Sequence, residues 1–213
     1  MQYVLSSWNT LQYGGPLVYP LLLLAVLMVA ILLDKTYVYW RFTRPSSALL
    51  RLIEHTNNWT ELEREVSIRN PHHHFVRFIR VILQNRSEPA WWAESRASDE
   101  AQYIEQALNR GLWILETIVT AAPLLGLLGT IYGMIHAFNL FGAHGLVDPK
   151  GVTSGVAEAL VATAIGLVIA VIALFAFNYF SRLQTRTMDE MERIGTRLLD
   201  RLRLDAERAG TVS

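Results

Sequence analysis

The 213-residue sequence has no cysteine, which excludes disulfide bridges and thiolate metal ligands. It has no charge imbalance either: 19 Lys and Arg offset 19 Asp and Glu, leaving no basic footprint for a nucleic-acid partner. The most informative absences are local. No charged residue occurs in 1–33, 117–147 or 159–181. Each gap is long enough for the roughly 20 apolar residues that cross a hydrocarbon core. With 52% hydrophobic and 18% charged residues overall, the pattern predicts three membrane spans. No internal repeat is visible.

The first span, "PLVYPLLLLAVLMVAILL" (16–33), stops at Asp34 and Lys35 and is followed by Tyr37, Tyr39 and Trp40 beside Arg41 and Arg44. This is the composition of an interfacial aromatic belt. The preceding 15 residues carry no Lys or Arg, the apolar run is long for a signal core, and no small-x-small cleavage site follows. The segment therefore reads as a retained anchor. Residues 34–116 hold 11 Lys and Arg and residues 182–208 hold 7, whereas 142–152 holds only Lys150. The positive-inside rule then puts the N-terminus outside.

The expected organisation is all-α: a three-span transmembrane helical protein with long helices extending into the cytoplasm. Residues 1–15 form a short external N-terminus, 16–33 the first transmembrane helix and 34–110 a cytoplasmic helical region. Residues 111–141 form the second transmembrane helix, 142–152 an external loop, 153–181 the third transmembrane helix and 182–213 a cytoplasmic C-terminal helix. Within the cytoplasmic region, 46–66 and 75–84 carry apolar residues at three- and four-residue intervals, the mark of amphipathic helices. Ser98 before Asp99 and Glu100 is a helix-start signal, predicting one unbroken helix from there into the second span. Met188, Met191, Ile194, Leu198 and Leu202 form a stripe suited to packing on another helix.

The spans carry the candidate chemistry. Ala122, Gly126, Thr130, Gly133 and Ala137 recur on one face of the second span, as do Ala159, Thr163, Gly166, Ala170 and Ala173 on the third. In lipid, helix association relies on close backbone approach over small residues, so both faces read as helix-packing seams. Thr130 and Thr163 either bond their own backbone one turn back or meet a neighbouring helix. Glu158 is the anomaly, because a charged side chain near a span centre costs about 2.5–3.5 kcal/mol on insertion scales. It lies about five residues, or roughly 7–8 Å, inside the span. The choice is between a carboxylate snorkelling to the outer interface and a water-accessible proton-exchanging site, and the shortness of glutamate favours the second. Pro123 removes one backbone hydrogen bond and is expected to kink the second span.

Other patterns carry less. "GLLGTIYG" lacks a lysine and lies in a span, so it is no phosphate loop. The adjacent imidazoles His72–His74 have neither metal-ligand spacing nor a supporting carboxylate. His136 receives no role. No nucleophile with a base is recognisable, and no cofactor motif.

"APLLGLLGTIYGMIHAF" (122–138) followed by "GVAEALVATAIGLVIAVIALFAFNYF" (155–180) resembles the MotA/TolQ/ExbB proton-channel family, most closely its ExbB branch. The resemblance covers about a quarter of the chain, and the three-span layout agrees with it. It implies a subunit of a bacterial inner-membrane, energy-transducing complex: a homopentamer around an ExbD-like single-span partner with a membrane aspartate. That complex would act with a TonB-like periplasm-spanning protein to drive outer-membrane transport from the proton motive force. Matched residue by residue, Thr130, Glu158, Thr163 and Asn178 would line the proton pathway, and the external segments would be periplasmic. The short stretch before the first span departs from ExbB proteins with longer extensions, so a TolQ-like subunit for envelope integrity stays open. So do a non-conducting membrane scaffold and sodium as the ion.

Overall fold

The computed structural model describes residues 16–43, 50, 51, 53, 58–142 and 149–211, and all its described elements are helical. Helix α1 (Val18–Val38) runs into a π-helical turn (Tyr39–Thr43). It is followed by α2 (Trp59–Ser67), α3 (His74–Gln84), α4 (Ala90–Asn109), α5 (Leu112–Gly142) and α6 (Pro149–Thr211). Three helical stretches are long and apolar enough to cross a membrane: Val18–Thr43, Ala90–Phe138 and Thr153–Arg208. The expected helix over 46–66 is interrupted: residues 50, 51 and 53 are helical, Asn58 is extended and a new helix begins at Trp59, with 46–49, 52 and 54–57 outside the described residues. That helix is α2, whose N-cap Asn58 accepts a hydrogen bond from the Thr60 amide at 3.0 Å.

The chain divides into two compact units, Met1–Leu33 with Gly111–Tyr179, and Asp34–Arg110 with Phe180–Ser213. In the first, α1 lies antiparallel to α5: Leu17 approaches Gly129 at one end and Ile31 approaches Gly111 at the other. Leu21 and Met28 face inward with Leu115, Ile118 and Ala122 of α5 and Ala162, Ile169 and Ala173 of α6. The outer faces carry exposed Leu23, Leu124, Phe138, Leu160 and Phe175. Helices that are apolar on every side satisfy their backbone internally and suit hydrocarbon as the surrounding solvent.

The second unit is amphipathic. Phe75, Phe78, Ile79 and Ile82 of α3 are buried, as are Met191, Ile194, Leu198 and Leu202 of α6, while Met188 is half-buried. Gly195 lets α6 lie on the Phe78 ring: a Cβ there would be 2.9 Å from Cζ. Trp59 donates its indole N–H to Asp205 at 2.8 Å, with the Arg201 guanidinium 4.4 Å over its ring. Arg77 pairs with Glu100 at 2.7 Å and Arg203 with Glu94 at 2.7 Å.

Two expectations are corrected. The helix entering the second span does not start at Ser98. It starts at Ala90, just after Pro89, whose fixed φ suits a helix entry. Nor is it unbroken: α4 stops at Asn109, and Gly111 adopts φ +86° before α5 begins. A left-handed residue costs a non-glycine about 1–2 kcal/mol. Among the described residues, a Cβ at Gly111 would meet only the Ile31 Cγ2 at 3.8 Å, an ordinary contact, so the constraint is conformational rather than steric. Gly111→Ala should therefore lower the thermal midpoint of the purified protein by a few degrees without changing its helix content, as followed by circular dichroism.

Lys35, expected at the membrane interface, is buried in the second unit at 2% exposure. Its Nζ donates a 2.6 Å hydrogen bond to the Leu108 carbonyl in the last turn of α4. An ammonium at that end meets both an orphan carbonyl and the negative pole of the helix dipole. Tyr39, one turn on, is also buried and stacks on Phe180 at 5.7 Å.

His74 is buried at the start of α3. Burial, helped by the nearby charges of Arg77, His73 and Lys35, lowers its pKa from 6.5 to about 4. The folded protein thus holds this imidazole neutral where the unfolded chain would protonate it. Stability is fully present above pH 6.5 and declines as pH falls from about 6.5 to 4, by on the order of 1–2 kcal/mol at pH 5. Melting curves at pH 7 and pH 5 should separate more for the wild-type protein than for His74→Leu.

Candidate functional site

The contacts between α5 and α6 define a register. A Cβ added at Gly155 would sit 2.8 Å from the Ala137 Cβ, at Gly133 2.8 Å from Ala159 Cβ, and at Gly129 2.6 Å from Ala162 Cβ. At Gly126 it would sit 3.0 Å from Thr163 Cα, and at Gly166 2.5 Å from the Ala122 carbonyl oxygen. Residue numbers fall on one helix as they rise on the other, so the pair is antiparallel and in backbone contact along several turns. Ala122, Gly126, Gly133, Ala137, Ala159, Gly166, Ala170 and Ala173 are all buried. Sequence spacing missed Gly129, Gly155 and Ala162, and put Thr130 where Gly129 meets the partner helix.

Thr163 meets Gly126 at the edge of this contact, whereas Thr130 lies beside it. Thr163 donates its hydroxyl across the seam to the Gly126 carbonyl at 2.7 Å. Thr130 donates to the Leu127 carbonyl on its own helix at 2.7 Å. Two hydroxyls from two helices thus donate to the carbonyls of consecutive α5 residues, Gly126 and Leu127. That bond is possible because Gly126 has no side chain to hold Thr163 away. Both threonines are half-buried. Helix α5 is continuous through Pro123, whose missing N–H leaves the Val119 carbonyl without its usual donor.

Glu158 and Asn178 do not join this cluster. Five residues separate Glu158 from Thr163, which is about 140° around a helix. Ala159 and Ala162, both packed on α5, lie between them. Glu158, half-buried, is therefore on the other flank of the seam. Asn178 is exposed, and fifteen residues place it roughly 22 Å along α6 from Thr163. Among the described residues no group of three or more His, Cys, Asp or Glu has the geometry to hold a metal ion.

The sequence pattern of the MotA/TolQ/ExbB proton channel family matches residues 70–193, a stretch that includes the whole α5–α6 seam. The chain belongs to that family. With three helices able to span a bilayer, it is a multi-pass membrane protein. A putative biopolymer transport protein, ExbB-like 1 from Synechocystis, is 30% identical over 191 residues, covering 87% of this chain and 74% of that protein. The biopolymer transport protein ExbB of Xanthomonas campestris is 40% identical over 85 residues, which is 40% of this chain and 34% of its own length. The ExbB of Aquifex aeolicus is 38% identical over 79 residues, 37% of this chain and 53% of that protein. The chain thus matches only about a third to a half of the length of these two ExbB proteins.

Proposed function

We propose that this chain is the path-lining subunit of an inner-membrane energy-transducing complex, coupling proton re-entry to work done by a partner. The observation that carries this reading is that the Thr163 and Thr130 hydroxyls donate to the carbonyls of consecutive α5 residues. On a surface that is mostly apolar, such a cluster is a place where a proton or hydrated ion meets oxygen donors. The family description and the ExbB relatives support the same reading.

In this proposal several copies, a pentamer by family resemblance, present the threonine flank of each α5–α6 pair to a central ExbD-like helix. That helix brings the carboxylate that carries the proton, and this chain provides oxygen donors along its route. The N-terminus faces the periplasm, and a TonB-like protein receives the work for outer-membrane transport. Extraction in mild detergent, purification through this chain and mass spectrometry of what stays bound test the reading. A small single-span protein with a membrane aspartate is expected. Recovery of this chain without any such protein would contradict it, and a Tol-type periplasmic protein in its company would redirect it to envelope integrity.

A further inference from the structure

Three consecutive imidazoles, His72–His74, stand where α3 begins. The chain turns at Asn70, whose carbonyl accepts the His73 amide at 3.1 Å and whose Oδ1 accepts the His72 amide at 2.9 Å. The first turn of α3 is closed by the Arg77 amide on the His73 carbonyl at 3.0 Å. The amides of His74, Phe75 and Val76 therefore leave the helix end without a carbonyl of the helix to meet. A serine, threonine, asparagine or aspartate side chain ordinarily satisfies one of them. Here the N-cap is His73, which makes no side-chain cap, and the first turn holds no acidic residue. This eleven-residue helix thus presents the positive pole of its dipole uncapped.

His74 is 8% exposed, and among the described residues its Nδ1 is buried without a hydrogen-bond partner. Buried polar atoms are paired as a rule, and an exception calls for a bound water or ion. Nδ1 is the ring nitrogen nearer the backbone, so in the first residue of a helix it stays close to these amides. Among the described residues, the charges that bear on this imidazole are all positive: Arg77, His73 and Lys35. Arg77 is partly offset by Glu100 at 2.7 Å, while Lys35 is met by the Leu108 carbonyl. Together with burial, these charges hold the imidazole neutral, with its pKa lowered to about 4. One bound anion would oppose all three. The approach is open on one side, because His72 is exposed and His73 half-buried.

We infer that the start of α3 is a binding site for a phosphate group, held by the His74, Phe75 and Val76 amides and the His74 imidazole, with His73 at its mouth. A phosphate brings several acceptor oxygens to converging N–H groups, and the positive charges of Arg77 and Lys35 stand behind them. Lys35 follows the uncharged run 1–33 by two residues, so a lipid headgroup is one source of such a group. Phosphate in solution is the other, and the test separates the two. The inference does not rest on the conducting role.

The full chain in phosphate-free detergent is titrated with inorganic phosphate, and the histidine imidazoles are followed by NMR. The His74 signal is identified by its low midpoint and by its loss in His74→Gln. Its midpoint should rise by one pH unit or more at saturating phosphate, a tenfold gain in proton affinity. Chloride at the same ionic strength should leave it in place. The second arm uses the chain in phosphatidylcholine nanodiscs with and without phosphatidic acid, whose headgroup is a phosphate monoester. A rise with phosphatidic acid alone assigns the site to lipid, and a rise with inorganic phosphate assigns it to a soluble anion as well. His73→Asp places a carboxylate at the N-cap, where aspartate is among the preferred residues, so this variant should fold. It should show a raised His74 midpoint with no phosphate present and no further response to either probe. A midpoint that neither probe moves in the wild-type chain, or that moves equally in His73→Asp, overturns the inference.

Discussion

Replacing Gly166 by leucine is expected to cut the yield of folded, assembled protein by more than tenfold, with Gly166→Ala already clearly impaired. Even a single Cβ at this position would lie 2.5 Å from the Ala122 carbonyl oxygen and 3.2 Å from the Gly126 Cα. Both are backbone atoms, so no side-chain rotation relieves the overlap and the helices must move apart. In water, a hydrophobic gain can offset such a displacement. In lipid it does not, because the hydrocarbon is as apolar as leucine and packing itself holds the helices together. Overpacking costs typically 1–3 kcal/mol in ordinary cores. Here the separation would propagate to Gly126, Gly129 and Gly133, which share the contact. Ala164→Leu, two residues away on an exposed face, is the control and should assemble normally. Detergent size-exclusion profiles of the three variants decide the matter.

Thr163→Val is expected to have the opposite character: normal assembly with function reduced by tenfold or more. The Thr163–Gly126 bond is an interhelical hydrogen bond of 2.7 Å. Such bonds average about 0.6 kcal/mol in membrane proteins and reach about 1.7. That is too little to dismantle a seam held by several backbone contacts. Valine matches the shape of threonine but offers no oxygen, so what is lost is a donor and acceptor on the proposed path. Thr130→Val should act in the same direction and Thr163→Ser should retain much of the function, because serine keeps the oxygen. Uptake driven by the proton motive force in cells carrying each variant, with complex levels checked by blotting, measures the effect. Thr163→Val cells with full uptake and full complex levels would leave the hydroxyl without the role assigned to it.

The sequence revealed the membrane helices because charge is excluded from them, and exclusion over twenty or more residues leaves an unmistakable gap. It revealed the threonines and Glu158 because polar groups are conspicuous in those gaps. What it hid were choices between neighbouring residues. Gly129 and Thr130 both fit a three- and four-residue step, and only the packed pair shows that Gly129 meets Ala162 while Thr130 turns to its own backbone. Gly111 was equally obscure: one glycine among good helix formers reads as tolerated until φ shows that it ends a helix. Lys35 followed an apolar run and suggested an interface, yet its long stem lets the ammonium reach the Leu108 carbonyl from inside the fold. Rotation mattered most for Glu158. The family resemblance grouped it with Thr163, but five residues is about 140° of helix, and the seam passes between them.

The most direct measurement is proton flux into proteoliposomes that contain the purified complex, recorded with an entrapped pH-sensitive dye under an imposed gradient. The wild-type complex is predicted to acidify the lumen, and the Thr130→Val/Thr163→Val double variant, with the same subunits present, to do so at one tenth of that rate or less. Equal rates in the two preparations would contradict the claim that these hydroxyls line the path.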